Sequence, residues 1–597
     1  MTDKKTKCFK ILNIVFLIVL FLYPLRHIWL GVELTDSAYS AGNYRFSEQI
    51  NSMWFFSTFL ANVVGKALSS FPFGNTLMGL NAYTALFISI VAVAMYLFFV
   101  NIVKIPEWIA FLGEMLAISL CWCPTTILYN YMTYCYFNLA IIALYYGLIR
   151  EKSWSMFLAG IMLGKNVLVR FPNLAEAALV LSLWYYGVLQ RKRIKTVLQE
   201  TGICILGYLT GIGSILLAIA YRYGLNTYVD AIQNLLSMPS DASDYTLYSM
   251  VLTVLLDYKA SSRWLLCMLA LCLVSCALTV LIRCKVGGKE PGKTAQIVGK
   301  LAFLGAVLIL FRWWYAIGVF NIKYYTYESM FQWVAVFLMI TILICVYLIL
   351  SKKEEITRNQ KLLASLVLIL IGVTPLGSNN HLYPNMNNMF LVFPFALAVC
   401  ISLIKSMLQY DGWIFERKEK EYVISVYPVR TMLSIFLIVM AFQSLMFGAV
   451  FTFRDGMSGQ KRDTRIEKNA ILKGMVTNQE LAVAIEELTA YVEEEGFADR
   501  ELILYGQIPA TSYILDMPSA ISTTWADLGS YSYATMVNDM ETLKGYISLK
   551  GKKMPLIILG EEPAEADAKW KLITDFMNQY EYKQTFENTR FRVYISQ

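Results

Sequence analysis

The residues best suited to chemistry in this 597-residue chain lie in Glu33-Leu34-Thr35-Asp36-Ser37-Ala38-Tyr39, directly after the first long apolar run. A carboxylate a few residues beyond the point where a spanning helix leaves the bilayer meets lipid headgroups and a water-borne reactant at once, so Asp36 is a candidate base. The structural alternative is that Asp36 or Thr35 caps a short helix, as side-chain oxygens at such positions do. Glu33 and Asp36 are the nearest acids available to a divalent metal, and metal dependence stays open on two acids in one loop. Cations sit in apolar surroundings further on. Arg170, Arg222, Arg263, Lys323 and His381 fall at ends of apolar runs, where long basic side chains also simply reach for headgroups. Arg312, in Leu308-Ile-Leu-Phe-Arg312-Trp313-Trp314-Tyr315, lies deeper. An arginine at mid-span costs about 2.5–3.5 kcal/mol, so it needs an anion, a cavity or a partner, and Lys165 poses the same question. His381 lies in an Asn-rich loop, residues 377–388, either as a plain surface histidine or as a sugar or phosphate contact.

The elements that must position these groups are membrane helices. The chain is 57% hydrophobic and 16% charged, with a mean hydropathy of +0.52, and its apolar runs have the length a bilayer demands. Runs near 10–30, 76–103, 107–124, 133–149, 154–171, 174–190, 201–221, 264–283, 297–320, 330–350, 362–376, 389–408 and 430–452 predict about thirteen transmembrane helices. Arg26, His27 and Trp29 at the outer end of the first run, with no small-residue cleavage site, mark it as a retained span and not a signal peptide. Every second loop is basic: Lys4/Lys5/Lys7/Lys10, Lys104, Arg150/Lys152, Arg191/Lys192/Arg193/Lys195, Arg283/Lys285/Lys289/Lys293, Lys352/Lys353/Arg358/Lys361 and Arg417/Lys418/Lys420. The positive-inside bias then puts the N-terminus and these loops in the cytoplasm, and loop 31–75 and everything after about 453 outside. The eleven cysteines lie in or beside apolar runs without metal-site spacing and read as small core residues, neither a zinc site nor a disulfide framework.

In the first outer loop Phe46, Ile50, Met53, Phe56, Leu60, Val64 and Leu68 recur at helical spacing. One or two helices along the outer membrane surface would show this pattern, as would a helix packed on the spans. After 453 the composition becomes that of a soluble domain. Helical patterns near 478–495, 533–549 and 565–579 alternate with strand-like Glu501–Tyr505, Leu556–Leu559 and Thr589–Ile595, which predicts a small α/β domain, read as a cap or acceptor-binding module. The expected fold is thus a polytopic all-α membrane domain, residues 1–452, with an extracytoplasmic α/β domain, 453–597.

One span, an outer loop opening on an acid and then a tyrosine (Asp36, Tyr39), surface helices, and a second span entered through Phe73-Gly74-Asn75-Thr76-Leu77 resemble the GT-C superfamily of membrane glycosyltransferases. Protein O-mannosyltransferases and lipid A aminoarabinose transferases are the relatives in view. The run Leu158-Ala159-Gly160-Ile161-Met162-Leu163-Gly164-Lys165-Asn166-Val167-Leu168-Val169-Arg170-Phe171-Pro172-Asn173 is similar to that group's Gly-xxx-Gly span ending in a basic residue near a proline. The likeness covers about the first 190 residues by motif and the rest only as architecture. It implies transfer of a sugar from a polyprenyl-phosphate donor, with Asp36 as the base or acceptor-positioning residue. The chain departs from many relatives at Tyr129–Asn138, where a second acid is expected and none stands; Asn130 or Asn138 could offer a neutral hydrogen bond there but not a base.

Displacing a polyprenyl phosphate from an anomeric carbon requires a base for the incoming hydroxyl, cations on the departing phosphate and exclusion of water. Asp36 supplies the first; Arg170, Arg222, Arg312, Lys323 and His381, with Tyr39, are the expected substrate contacts. The acceptor would be an envelope glycan, a lipid or a protein, the surroundings membrane lipid, and no nucleic acid is involved. Two competing readings remain. A transporter or flippase of lipid-linked saccharides would also want intramembrane cations, although no internal repeat is visible. A catalytically inactive assembly scaffold would explain the missing second acid.

Overall fold

The computed structural model describes residues 2–236, 247–285, 292–377, 380–409, 412–417, 420–550 and 553–596. Lys289 and Lys418 of the basic loops and Ser378 and Asn379 of the Asn-rich loop fall outside this set. All thirteen apolar runs coincide with helices. Among the described residues, eight of them are long and apolar enough to cross a membrane: Leu77–Val103, Leu128–Arg150, Ile194–Tyr223, Tyr248–Ile282, Lys293–Ala316, Glu328–Leu350, Val392–Gln409 and Tyr427–Val450. The first helix is apolar only over Ile11–Leu25, and the others are shorter or interrupted. Glu107–Leu120 has 14 residues and Arg358–Val373 has 16. The run near 174–190 is a 3-10 segment, Phe171–Leu179, with Pro172 in its first turn, followed by the helix Val180–Leu189. Of the described cysteines, Cys121, Cys123, Cys135, Cys272, Cys345 and Cys400 are buried and form no disulfide.

The chain divides into two compact units. The first contains residues 1–20, 94–121 and 247–451. Its interior includes a cluster of rings in which Trp314 lies 5.9 Å from Trp264 and 5.7 Å from Trp333. The indole of Trp264 donates to Gln332 Oε1 at 3.0 Å. A hairpin, Gly412–Arg417 against Lys420–Ser425, joins two of its long helices, in a loop that the sequence marks only as basic.

The second unit contains residues 21–93, 122–246 and 452–597. Here the helices Ser153–Val169 and Ile194–Tyr223 cross at small residues on both sides. A Cβ on Gly160 or Gly164 would overlap the carbonyl oxygens of Cys204 or Tyr208, and one on Gly207 or Gly211 would overlap those of Phe157 or Ile161. Two Gly-xxx-Gly faces therefore bring backbone against backbone, the geometry that small residues permit in membrane helices. Gly164→Leu should destabilise the protein by at least the roughly 1–3 kcal/mol typical of overpacking, because the obstructing atoms are main chain. A thermal melt in detergent checks this, and an unchanged midpoint would mean that the two helices do not depend on the close approach.

The C-terminal part of this unit carries a four-stranded sheet in the order Leu502–Tyr505, Leu556–Leu559, Arg592–Ser596, Tyr582–Glu587. The first pair is parallel and the other two antiparallel. The helices Gln479–Glu494, Tyr533–Lys550 and Ala568–Gln579 stand where helical spacing predicts them. The strand Tyr582–Glu587 was not foreseen; all its residues are half-buried or exposed at the sheet edge, so it lacks the apolar run that marks its neighbours. One core then joins this region to the first loop: Val32, Ala38, Ala41 and Tyr44 pack with Ile466, Leu481, Leu504 and Tyr513.

Candidate active site

Asp36 opens the helix Asp36–Arg45, and three anchors fix that helix. Tyr44 donates its hydroxyl to Thr126 O at 2.8 Å and accepts from Leu128 N at 3.1 Å. Arg45 forms a two-pronged pair with Asp516, Nε to Oδ1 at 2.6 Å, and Ala510 N donates to Leu34 O at 3.0 Å. The three helices of this loop, Asp36–Arg45, Ser52–Ser57 and Phe59–Ser69, are shorter than the apolar spacing suggests, since Phe46 and Ile50 fall in the turns between the first two.

Glu33 performs the capping that the sequence offered to Asp36 or Thr35. Its Oε1 accepts from Thr35 N at 2.7 Å, from Asp36 N at 3.1 Å and from the Thr35 hydroxyl, and its Oε2 accepts from Ser37 N at 2.6 Å. Thr35 makes no side-chain cap. A buried carboxylate thus satisfies the free amides of the helix start, and the Asp36 side chain is released for other work. Glu33→Ala should cost about 0.5–2 kcal/mol, the range for a lost N-cap, and slow any reaction that depends on Asp36. Paired melts and rate measurements check it; an unaffected melt would remove Glu33 from the cap.

The released carboxylate meets Arg454. Asp36 Oδ2 lies 2.7 Å from Arg454 Nη1, and the same Nη1 donates to Thr35 Oγ1 at 2.9 Å. Both side chains remain about one third exposed, 34% for Asp36 and 38% for Arg454, so the pair is anchored yet reachable. Burial raises the Asp36 carboxyl above the ordinary carboxylate range and Arg454 opposes the shift. Burial and the neighbouring Asp36 raise Glu33 as well, against the bonds from Thr35 and Ser37.

Arg454 owes its position to its neighbours. It takes a left-handed φ of +50°, and the turn is pinned by Asp455, whose Oδ2 accepts from Val32 N at 2.9 Å and from Thr477 Oγ1 at 2.8 Å. Gly31, at φ +96°, donates to Val476 O at 2.8 Å, and a Cβ there would overlap the Thr452 side chain. Segments from the two ends of the chain therefore hold the pair together.

Arg170 stands at the C-terminal end of Ser153–Val169, with its guanidinium 5.7 Å from the ring centre of Tyr129. Tyr129 is in turn within electrostatic reach of Asp36, Tyr39 and Arg454, so it has both arginines in its neighbourhood. A buried polar network backs Arg170: Asn166 Nδ2 donates to Glu176 Oε2 at 2.7 Å and to Thr133 O at 3.2 Å, and Asn173 Nδ2 donates to Thr133 Oγ1 at 2.7 Å. Arg170 N donates to Asn166 O and Asn173 N to Arg170 O, so the network grips its backbone on both sides. The ring of Tyr39 packs edge-on against Trp525 at 5.5 Å.

The remaining predicted contacts lie elsewhere. Arg222 is exposed in the last turn of Ile194–Tyr223, over the Tyr223 ring at 5.4 Å. Arg312, Lys323 and His381 belong to the first unit. Arg312 is exposed, 5.8 Å from the Tyr315 ring centre, and Lys323 is exposed in a turn. His381 is more than a plain surface histidine. Its Nδ1 lies 3.0 and 3.2 Å from the two oxygens of the buried Asp257, beside Phe331 and Tyr383. Asn138 donates to Tyr134 O at 2.8 Å.

Glu33 and Asp36 do not fit a divalent cation: four donors occupy the oxygens of Glu33, and Asp36 holds a guanidinium. Among the described residues no three His, Cys, Asp or Glu side chains gather as metal ligands. What the second unit does assemble is a carboxylate, a cation beside it and a second cation against a tyrosine ring.

Among solved structures the chain is similar to ArnT from Cupriavidus metallidurans bound to undecaprenyl phosphate, with 11% identity over 98% of this chain and 97% of that one and a TM-score of 0.40. It is also similar to the Archaeoglobus fulgidus oligosaccharyltransferase in its apo form, with 12% identity over 92% of this chain and 69% of that one and a TM-score of 0.45. Both are GT-C glycosyltransferases. No family model and no curated protein matches the chain.

Proposed function

We propose that this protein is an integral membrane glycosyltransferase that moves a sugar from a polyprenyl-phosphate donor to an envelope glycan, lipid or protein acceptor on the outer face of the membrane. The observation that carries the reading is the Asp36–Arg454 pair, a carboxylate freed from capping and set 2.7 Å from a half-exposed guanidinium. In the transfer the acceptor hydroxyl attacks the anomeric carbon and forms the new C–O bond. Asp36 takes the hydroxyl proton, the bond from the anomeric carbon to the phosphate oxygen breaks, and its electron pair leaves with the polyprenyl phosphate. Arg454, with Arg170 against the Tyr129 ring, meets the charge that builds on that phosphate. Fixed donors aimed at developing charge are the largest single source of rate in many transfers.

The alternating basic loops support a cytoplasmic N-terminus and an outward C-terminal region, which puts Asp36 on the outer side. Purified protein given a radiolabelled polyprenyl-phosphate hexose and an envelope fraction is expected to label the fraction. Absence of label with every hexose and pentose donor offered would overturn the reading.

A further inference from the structure

Next to the site, within the second unit, lies a cavity of about 440 Å³, inside the roughly 300–1,000 Å³ range of small-ligand sites. Its polar wall is Asn51, Asn234, Ser530, Ser532, Thr535 and Asn538, and the rings of Trp54 and Tyr531 complete it. None of the described residues that line it carries a charge. We propose that this cavity is a binding groove for a neutral oligosaccharide.

The lining selects that class by exclusion. A charged ligand would find no countercharge in the wall, and an apolar one would strip water from three amides and three hydroxyls without replacing its hydrogen bonds, at about 1–3 kcal/mol for each group left unpaired. A sugar presents hydroxyls around its edge and C–H groups on its faces, which matches amides and hydroxyls set beside the half-buried ring of Trp54, while the Tyr531 ring is buried behind the wall. The wall is also held before any ligand arrives. Asn51 Oδ1 accepts from Met53 N at 2.9 Å, which leaves the NH2 of that amide as the donor toward the groove. The Tyr531 hydroxyl donates to Asp539 Oδ2 at 2.6 Å, and the same oxygen accepts from Ser522 N at 3.0 Å. Asp539 is thereby consumed in bracing the wall.

The groove wall is tied to the helix that Asp36 opens. Ser522 O accepts from Asn51 N at 2.9 Å at the groove, and three residues later Trp525 packs against Tyr39, one helical turn from Asp36. Thr523, Thr524 and Trp525 are buried, so this segment ties the groove to the Asp36 helix as a brace. The assignment rests on the glycosyltransferase reading for its purpose, since it names a glycan as the acceptor, but binding is measured independently of transfer.

Calorimetric titration of the full-length protein in detergent with cellohexaose, maltohexaose and chitohexaose, and with hexagalacturonate as the charged comparison, tests it. At least one neutral hexamer is expected to bind more tightly than hexagalacturonate, and Trp54→Ala to weaken that binding by about tenfold or more, as loss of an aromatic anchor does. Asn538→Leu, at an exposed helix position, is expected to weaken it without a change in the melt, so the result does not depend on how Trp54→Ala folds. No binding by any neutral hexamer, preference for hexagalacturonate, or binding that Asn538→Leu leaves intact would overturn the groove. Wild-type protein that binds a neutral hexamer yet transfers no sugar would keep the groove and sink the transfer reading; transfer without binding would do the reverse.

Discussion

Asp36→Asn is expected to slow sugar transfer by about 10²- to 10⁴-fold, the range for loss of a positioned general base, while the protein melts close to the wild-type temperature. The second half of that expectation follows from Glu33. Because its carboxylate takes the amides of Thr35, Asp36 and Ser37, changing the Asp36 side chain removes no cap. The substitution therefore separates chemistry from folding, which would not be so had Asp36 been the cap. Initial rates with a radiolabelled donor, measured beside a melt, give both numbers. A variant that transfers sugar at the wild-type rate would show that Asp36 is not the base.

Arg454→Gln is expected to lower the rate by about 10²- to 10³-fold, as removal of one donor to a developing charge does, and also to move the acid limb of the pH–rate profile to higher pH. The sign follows from the two influences on Asp36. Burial raises its carboxyl and the guanidinium pulls it back, so without the cation the base holds its proton to higher pH and the active fraction at a given acid pH falls. Arg454→Lys keeps a charge and should hold the limb near its wild-type position, although it loses the geometry that lets one nitrogen serve both Asp36 and Thr35. An identical acid limb in all three proteins would mean that Arg454 does not tune the base. Stability carries the same signature in the opposite sense: a raised folded-state carboxyl favours the folded chain below the unfolded carboxylate pKa, and that contribution is lost as pH rises through the folded value.

Much of the architecture was legible because it rests on local pattern. Apolar length finds the helices, and in the C-terminal part alternating apolar and polar runs find three strands of the four-stranded sheet and the three longer helices, but not the strand Tyr582–Glu587, the short pair Thr464–Arg465 and Val476–Thr477, or the helix Ala510–Leu515. The Gly-xxx-Gly spacing at Gly160 and Gly164 was visible too, whereas its partner face at Gly207 and Gly211 was hidden in an otherwise unremarked apolar run. Span count was harder to read, since a run such as 174–190 is mostly apolar yet starts inside the 3-10 segment Phe171–Leu179, which has Pro172 in its first turn.

The site was legible only in part. Asp36 stands out by its place after the first helix, and Arg170 by ending a helix before a proline. Arg454 does not stand out, because nothing local links a residue just after the last apolar run to an acid just after the first; the link is the bracing of Val32 and Gly31 by Asp455 and Val476. A cation directly beyond the final apolar run was the available signal. The capping role of Glu33 was not foreseen, for a different reason. Three polar side chains within four residues compete for the same helix start, and only the path of the chain decides which carboxylate turns back onto the amides. Tyr129 and Asp257, each paired with a cation or histidine far away in sequence, carried no local mark at all.

The measurement that bears most directly on the transfer site is a double-mutant cycle on kcat/KM for sugar transfer, with wild type, Asp36→Asn, Arg454→Gln and the double variant assayed side by side. If the carboxylate and the guanidinium work as one unit, the double variant should be about as slow as the slower single variant, since strongly coupled groups do not add. Two losses that multiply fully would mean that the residues act apart, and a wild-type rate in Asp36→Asn would contradict the account outright.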